Sequence, residues 1–168
     1  MRRFILCALS LSALASAADW PMYRHDAART ASTTMLLPEQ LHLQWVRAFP
    51  PRQPAFAYDR RMCIDEGHFP VVAGGTLFVG LDATNSVVAI DAATGEIKWR
   101  FYAEGPVRFA PIAGEIRPRE GGTTNAVWFG ADDGVLYCLD AADGKLLWRF
   151  DGAPADRKII NHCRLSSN

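Results

Sequence analysis

The sequence has few cysteines, no excess of either charge and no long run of apolar residues, and each shortage excludes a class of protein. Its 18 basic and 18 acidic side chains give a formal net charge of zero over 168 residues. Nucleic-acid-binding surfaces carry an excess of Lys and Arg, so bulk charge recruits neither nucleic acid nor an anionic lipid surface here. We therefore expect no nucleic-acid partner.

The longest apolar run lies at residues 4–15, behind two arginines and before the small residues ASA at 15–17. As a helix this run would cover about 18 Å, less than the roughly 30 Å of a bilayer core, so it predicts no membrane span. The pattern is typical of a secretory signal peptide cleaved near Ala17. We expect a periplasmic or secreted mature chain with 16 basic and 18 acidic residues, since Arg2 and Arg3 are lost.

Three cysteines follow the predicted signal peptide, at Cys63, Cys138 and Cys163. Export permits disulfides, but an odd number without a C-x-x-C pair allows at most one internal bridge. Cys63 with Cys163 is one pairing that the spacing neither requires nor excludes. Cys138 falls in a strongly apolar segment and is predicted to be a small core residue. The disulfide state therefore stays open.

One phrase occurs twice in the chain, and such a repeat decides the fold class. Residues 86–101, SVVAIDAATGEIKWRF, return 49 positions later within residues 134–150, GVLYCLDAADGKLLWRF, with 7 of 16 aligned positions identical. The likeness extends upstream, from TLFVGLD at 76–82 to AVWFGAD at 126–132, and an eroded third copy, LQWVRAF, lies at 43–49. One structural unit is therefore repeated.

Each copy alternates short runs of β-branched and aromatic residues with Gly or Asp turn signals, a pattern typical of strands. Four short antiparallel strands at this period are typical of a propeller blade. We therefore predict an all-β fold, a β-propeller of four-stranded antiparallel blades, with two full blades and part of another. The predicted strands are 70–73, 76–80, 86–91 and 96–101, then 109–113, 126–130, 135–140 and 145–150, with a solvent loop at 115–125.

The step Asp-Ala-Ala-x-Gly links two strands of each blade. The carboxylates of Asp91 and Asp140 can accept hydrogen bonds from backbone N–H groups two or three residues on. Gly95 and Gly144 then supply the positive φ that the turn requires. By the same logic, Asn85-Ser86 and Asp133-Gly134 mark the hairpin that precedes each of these strands.

Trp99 and Trp148 occupy the same place in the last strand of each blade. A large ring there can be buried against the adjacent blade while its indole N–H finds an acceptor. We predict that both tryptophans fasten neighbouring blades together in equivalent surroundings. The alternative, stacking on a flat cofactor, is weaker because a repeated residue faces a repeated neighbour, whereas a cofactor occupies one place.

The phrase Leu-Asp-Ala-x-x-Gly-Lys-x-x-Trp resembles the repeat of quinoprotein-type propellers, which include pyrroloquinoline-quinone alcohol dehydrogenases and outer-membrane assembly factors. The similarity covers about residues 70–150, and DWPMYRHDAART at 19–30 and DRKII at 156–160 also resemble segments of large secreted bacterial proteins with these repeats. The resemblance implies an eight-bladed ring with tryptophan-mediated docking of the blades. The chain then divides into a signal peptide at 1–17, a segment with a partial blade and an irregular loop at 18–69, and two repeats with a trailing connector at 70–168.

The resemblance also implies what an enzyme would need, namely a quinone beside a vicinal disulfide and a Ca²⁺ held by Glu, Asn and Asp. The sequence has neither an adjacent Cys-Cys pair nor a C-x-x-C-H haem attachment. Asp132-Asp133, the densest acidic pair of the repeats, is predicted to be a turn signal. We therefore expect no catalytic and no metal-binding residues in this sequence. No zinc-like spacing joins the scattered histidines, which are His25, His42, His68 and His162.

Two irregular segments are the candidates for a functional surface. Residues 50–69, PPRQPAFAYDRRMCIDEGHF, form the best candidate for contact with a ligand or partner, because long loops carry function in propellers. The second is His162-Cys163 with residues 156–158, for which a solvated connector is the simpler interpretation. The side chains that single out the first segment are Arg60, Arg61, Asp65, Glu66 and His68.

Two functions remain in competition. The first is a non-catalytic binding or scaffolding propeller for a protein or peptide partner, without a cofactor. The second is the amino-terminal part of a pyrroloquinoline-quinone-dependent alcohol dehydrogenase, with the quinone and calcium bound elsewhere. Two blades alone would leave unpaired edges and an uncovered apolar face, so we expect the rest of a propeller or self-association to cover them.

Overall fold

The computed structural model describes residues 18–52, 54, 67–117 and 122–152, so the predicted signal peptide at 1–17 lies outside it. Strand is the only regular structure in the described part of the chain, and it forms two four-stranded antiparallel sheets in the orders β1-β2-β3-β4 and β5-β6-β7-β8. The prediction of two four-stranded blades is confirmed. The strands are β1 (Val71–Ala73), β2 (Thr76–Leu81), β3 (Ser86–Asp91), β4 (Ile97–Tyr102), β5 (Ile112–Ile116), β6 (Thr124–Gly130), β7 (Val135–Asp140) and β8 (Leu146–Asp151).

The first strand of the second blade lies later than predicted. It was expected at 109–113, but β5 begins at Ile112. Pro111 explains the shift, because proline has no N–H for the ladder and a fixed φ. The expected solvent loop at 115–125 is correspondingly shorter, since Glu115 pairs with Asn125 inside the sheet. Phe109 instead lies in the connector between the blades.

The two sheets pack against each other around their middle strands. In β3, Val87 to Ile90 have no solvent exposure, and Val87 belongs to one apolar cluster with Phe129, Tyr137 and Leu139 of the second sheet. Removal of this surface from water is the main force that holds the sheets together. The near-continuous apolar character of the middle strands follows from burial on both faces.

The predicted turn chemistry is present in both blades. Oδ1 of Asp91 accepts hydrogen bonds from the backbone N–H groups of Ala93 and Thr94, both at 3.0 Å. The equivalent oxygen of Asp140 accepts from the N–H of Ala142 at 2.8 Å. The hydrogen bonds from Thr94 and Ala93 lower the pKa of Asp91 below its usual value, because they stabilise the charged carboxylate. Gly95 and Gly144 have φ values of +75° and +74°.

Trp99 fastens the first blade to the second. Its indole N–H donates to the carbonyl oxygen of Ala141 at 3.0 Å, and the ring lies on Gly144. A Cβ added to Gly144 would lie 2.7 Å from atoms of the Trp99 ring. The glycine therefore has two functions, one in its own turn and one as the surface on which the preceding blade docks. The second function was not predicted.

The eroded copy at 43–49 repeats this contact one blade earlier. Trp45 donates its indole N–H to the carbonyl oxygen of Ala92 at 2.9 Å, and a Cβ on Gly95 would lie 2.6 Å from the ring. Arg47 Nε donates to the carbonyl oxygen of the same Gly95 at 2.8 Å. Trp45 and Trp99 therefore each dock on the turn of the blade that follows in sequence.

Trp148 has the same position in its sheet as Trp99, but its ring is not covered by a following blade in the described part of the chain. It pairs with Cys138 as Trp99 pairs with Ala89, and both ladders shift register directly after that pair. Trp148 is nevertheless 41% exposed, and within the ranges that the structure describes no following turn receives its indole. Its role between blades stays a prediction.

Candidate binding face at the connector end

A group of charged and aromatic side chains lies at one end of the two sheets. In an antiparallel meander, the start of β1, the β2–β3 hairpin and the end of β4 lie at the same end. The second blade repeats this arrangement, and residues 103–111 connect the two blades there. We call this end the connector end.

Four buried or nearly buried charges form an alternating chain at the connector end. Asp82 Oδ2 lies 3.4 Å from Arg52 Nε and 3.4 Å from Arg108 Nη1. Arg108 Nε lies 2.6 Å from Asp132 Oδ2 in the other blade. The Asp82 side chain has no solvent exposure, and the two arginines are 12% and 11% exposed. This ionic chain ties the segment before the first blade, both hairpins and the connector together.

The acidic pair Asp132-Asp133 lies in the β6–β7 hairpin, as predicted for a turn signal. Oδ1 of Asp133 accepts the backbone N–H of Val135 at 2.9 Å, and Gly134 has the positive φ, +79°. Asp132 does more than mark the turn, because it is the last carboxylate of the ionic chain. The pair is therefore engaged by the protein itself.

Tyr137 beneath this hairpin gives a pH-dependent prediction. Burial, together with the 2.6 Å hydrogen bond from its hydroxyl to Asp133 Oδ2, raises the pKa of Tyr137 to about 12. The neutral phenol is favoured in the folded state, so its contribution is complete below the unfolded pKa near 10 and is lost as the pH rises to about 12. We expect stability to fall between these values in urea titrations, and Tyr137→Phe to reduce that slope. An equal slope in the variant would contradict the assignment.

Residues 18–22 cross the free edges of the innermost strands. Trp20 pairs with Val72 of β1 through two backbone hydrogen bonds of 2.7 and 2.8 Å. One residue further, the Pro21 carbonyl accepts the N–H of Ala113 in β5 at 2.7 Å. The amino-terminal segment therefore bridges the two blades and delivers the following loop to the connector end.

The loop that follows has an unusual backbone. Arg24, His25, Arg29 and Ala31 all have positive φ, between 52° and 78°, although none is glycine. Residues other than glycine adopt this region at a cost, and such clusters are typical of functional sites. Asp26 secures the loop, since its two oxygens accept the Thr30 N–H at 3.0 Å and the Thr30 hydroxyl at 2.6 Å. These bonds lower the pKa of Asp26.

A cleft of about 460 Å³ lies between this loop and the connector. Tyr23 packs edge-on against Phe69, with ring centroids 5.2 Å apart, and the guanidinium of Arg29 lies 5.7 Å from the centre of the Tyr23 ring. Phe109 is 67% exposed at the opposite wall. The lining residues are Met22, Tyr23, Asp26, Ala27, Arg29, Phe69, Phe109, Ala110 and Ile112. We call it the connector cleft.

The predicted surface at 50–69 is only partly described. Arg60, Arg61, Asp65, Glu66 and Cys63 lie outside the described residues, as do Cys163, His162 and residues 156–158. His68 has its Nδ1 3.3 Å from the Gly80 carbonyl oxygen and packs edge-on against Phe49. Cys138 is buried as predicted, and burial raises the pKa of its thiol to about 11.

The remaining histidines form no metal-ligand group. His25 Nδ1 lies 3.6 Å from Asp26 Oδ2, and its ring contacts Trp20 edge-on at 4.9 Å. His42 is exposed. Over residues 18–52, 54, 67–117 and 122–152, no three His, Cys, Asp or Glu side chains are grouped to hold a metal ion. The same ranges contain no helix long and apolar enough to cross a membrane.

Sequence reasoning missed both the ionic chain and the connector cleft. One signal was available for the former, because Asp82 and Asp132 occupy equivalent positions in the repeated segments 76–82 and 126–132. A carboxylate that recurs at the same position of the repeat, one or two residues after the strand, indicates a repeated partner. No comparable signal marked the cleft, whose walls come from residues far apart in the chain.

Comparison with known proteins decides the family. A family model described as outer membrane protein assembly factor BamB matches residues 42–162. The chain belongs to this family. The quinoprotein-type resemblance is thereby confirmed, and the two sheets are blades of the β-propeller that BamB-family proteins share.

Curated relatives include dehydrogenases. The chain is 34% identical over 86 residues to a polyvinylalcohol dehydrogenase of Sphingopyxis sp. (strain 113P3), covering 50% of this chain and 13% of the relative. It is 29% identical over 92 residues to the dehydrogenase subunit of the alcohol dehydrogenase (quinone) of Gluconacetobacter polyoxogenes, covering 54% and 12%. The chain thus spans about one eighth of the length of these relatives.

Solved structures give similarities at lower identity. Quinohemoprotein alcohol dehydrogenase from Comamonas testosteroni is 20% identical with a TM-score of 0.44, over 51% of this chain and 17% of that chain. BamB from Moraxella catarrhalis is 22% identical with a TM-score of 0.35, over 46% and 20%.

Proposed function

We propose that the chain is a non-catalytic binding module of a periplasmic or secreted propeller, and that its connector end meets a protein or peptide partner. The supporting observation is the connector cleft, whose lining includes Arg29 together with the aromatic residues Tyr23, Phe69 and Phe109. Aromatic residues and arginine dominate the energetically important centres of protein interfaces. Their position on the rim of two packed sheets gives them a rigid support.

The electrostatics of this end favour binding over metal chemistry. Asp82 and Asp132 are paired with arginines, and both oxygens of Asp26 accept hydrogen bonds from Thr30. A Ca²⁺ site needs six to eight oxygen ligands that are not already engaged. Among the described residues, the carboxylates of Asp26, Asp82 and Asp132 therefore do not fit such an ion.

A second candidate function rests on the identity of 34% to a polyvinylalcohol dehydrogenase. In that case the chain is part of a quinone-dependent alcohol dehydrogenase whose cofactor is held by residues elsewhere. Titration of the protein purified from its source organism with pyrroloquinoline quinone and Ca²⁺, followed by dye-linked alcohol oxidation, tests it directly. Saturable binding with turnover would replace our proposal.

The binding function is tested by photo-crosslinking in the cell envelope of the source organism. A benzoyl-phenylalanine at position 109 replaces the exposed Phe109 of the connector cleft. The matched control carries the same group at Leu36, which is 91% exposed and does not line the cleft. We expect a discrete protein adduct at 109 and none at 36. Identical adducts at both positions, or none, would contradict the proposal.

A further inference from the structure

Of the two charged side chains that line the connector cleft, one already has hydrogen-bond partners in the protein and the other is available to a ligand. Asp26 has both carboxylate oxygens committed to Thr30, at 3.0 and 2.6 Å. The guanidinium of Arg29 faces the Tyr23 ring at 5.7 Å and forms no ion pair within the part of the chain that the structure describes. Of the two charged groups that line the cleft, the one that remains for a ligand is therefore a cationic donor. Arginine matches a carboxylate in charge and in its paired N–H geometry.

The cleft also has apolar side chains that are accessible to solvent. Phe109 is 67% exposed, Ile112 is 44% exposed and Tyr23 is 42% exposed. The volume of about 460 Å³ lies within the range of roughly 300–1,000 Å³ that ligand sites occupy. Binding is favoured when an apolar side chain of the ligand covers this surface and removes it from water. The ligand must therefore combine an apolar group with an anionic one.

We propose that the connector cleft binds an extended peptide segment through a carboxylate on Arg29 and an adjacent aromatic or branched aliphatic side chain against Phe109 and Ile112. The site deepens the binding function proposed above and rests on it. A peptide fits better than a nucleic acid, because one arginine beside an ionised Asp26 cannot attract a polyanion.

The backbone of the loop makes this site preorganised. Arg24, His25, Arg29 and Ala31 hold positive φ values that an unsupported loop would abandon. Asp26 and the pairing of Trp20 with Val72 over-determine the loop and keep it in place. A ligand therefore does not have to order the loop, and binding is tighter because this entropic cost is absent.

The ligand class is tested by calorimetric titration of the full chain with three peptides. The probe is Ac-Ala-Phe-Glu-Ala-NH₂, the charge control has Gln for Glu, and the apolar control has Ala for Phe. Loss of a charge-assisted hydrogen bond or of a buried aromatic group weakens binding by about tenfold or more. We expect saturable binding of the first peptide. Each control peptide should bind about tenfold more weakly, or weaker still.

The location is tested with variants of exposed residues. Arg29→Gln removes the charge, Phe109→Ala removes the apolar wall, and Arg24→Gln is the matched control, since Arg24 belongs to the same loop but does not line the cleft. We expect about tenfold weaker binding for the first two and unchanged binding for the control. Urea unfolding shows whether each variant keeps its stability. Reversal of the charge on Arg29 and on the peptide is a second test of the same ion pair. Arg29→Glu should then prefer a peptide with Lys for Glu.

Each negative result overturns a defined part of the inference. Equal affinity of the Glu and Gln peptides, or of the wild type and Arg29→Gln, rejects the carboxylate assignment. No binding of any peptide rejects the ligand class, while adducts at position 109 in the envelope would still support the proposed function. Displacement of the peptide by pyrroloquinoline quinone without Ca²⁺, weakened in Arg29→Gln, would assign the cleft to a free aromatic acid instead of a peptide.

Discussion

Gly144→Ala is expected to lower the free energy of unfolding by about 2–5 kcal/mol, the sum of a left-handed backbone penalty and an overpacking penalty. The residue has a φ of +74°, and the new Cβ would lie 2.7 Å from the Trp99 ring of the preceding blade. The ring cannot move away easily, because its N–H is bonded to Ala141 at 3.0 Å. Chemical unfolding followed by tryptophan fluorescence measures the change.

Gly75→Ala separates the two causes. Gly75 has a similar φ of +70°, but nothing lies within 4 Å of its added Cβ. It should therefore cost only the backbone term, about 1–2 kcal/mol. If both variants lost the same stability, the contact between Trp99 and Gly144 would contribute nothing to blade docking. In a Trp99→Ala background, the ring that the new Cβ would meet is absent. Gly144→Ala should then lower the free energy of unfolding by about as much as Gly75→Ala does.

The fold could be predicted from the sequence because the signals are local and occur twice. Asp91, Gly95 and Trp99 lie within nine residues and recur as Asp140, Gly144 and Trp148. A turn and its flanking strands are determined by neighbours in the chain, so their bounds were correct to within two residues except at β5. There the apolar run of Phe109 and Ala110 favoured a strand, but Pro111 delays its start.

The candidate site could not be predicted in the same way because its parts meet only in three dimensions. Tyr23 and Phe109 are separated by 86 positions, and no periodicity relates them. The predicted site at 50–69 was chosen for its length and charge, and Arg52 and His68 at its ends do lie at the connector end. A Trp that packs on glycine one blade later, by contrast, leaves a repeated trace in the sequence.

Asp82→Asn is the second large effect that we expect, a loss of about 3–5 kcal/mol, because removing one partner of a buried pair leaves the other charge uncompensated. The Asp82 side chain is fully buried, and it lies 3.4 Å from both Arg52 and Arg108. Asparagine preserves the shape of the side chain, so the change is one of charge. Urea unfolding should show a midpoint lower by about 1 M or more.

Glu104→Gln is the matched control for that experiment. Glu104 and Arg149 also form an ion pair, at 3.6 Å, but their side chains are 68% and 49% exposed. Water and salt screen such a pair, which contributes about 0–1 kcal/mol. High salt should remove the small effect of Glu104→Gln and leave most of the loss in Asp82→Asn. Equal losses in the two variants would mean that the ionic chain does not hold the hairpins of neighbouring blades together, and the rigid support of the connector cleft would then depend on apolar packing alone.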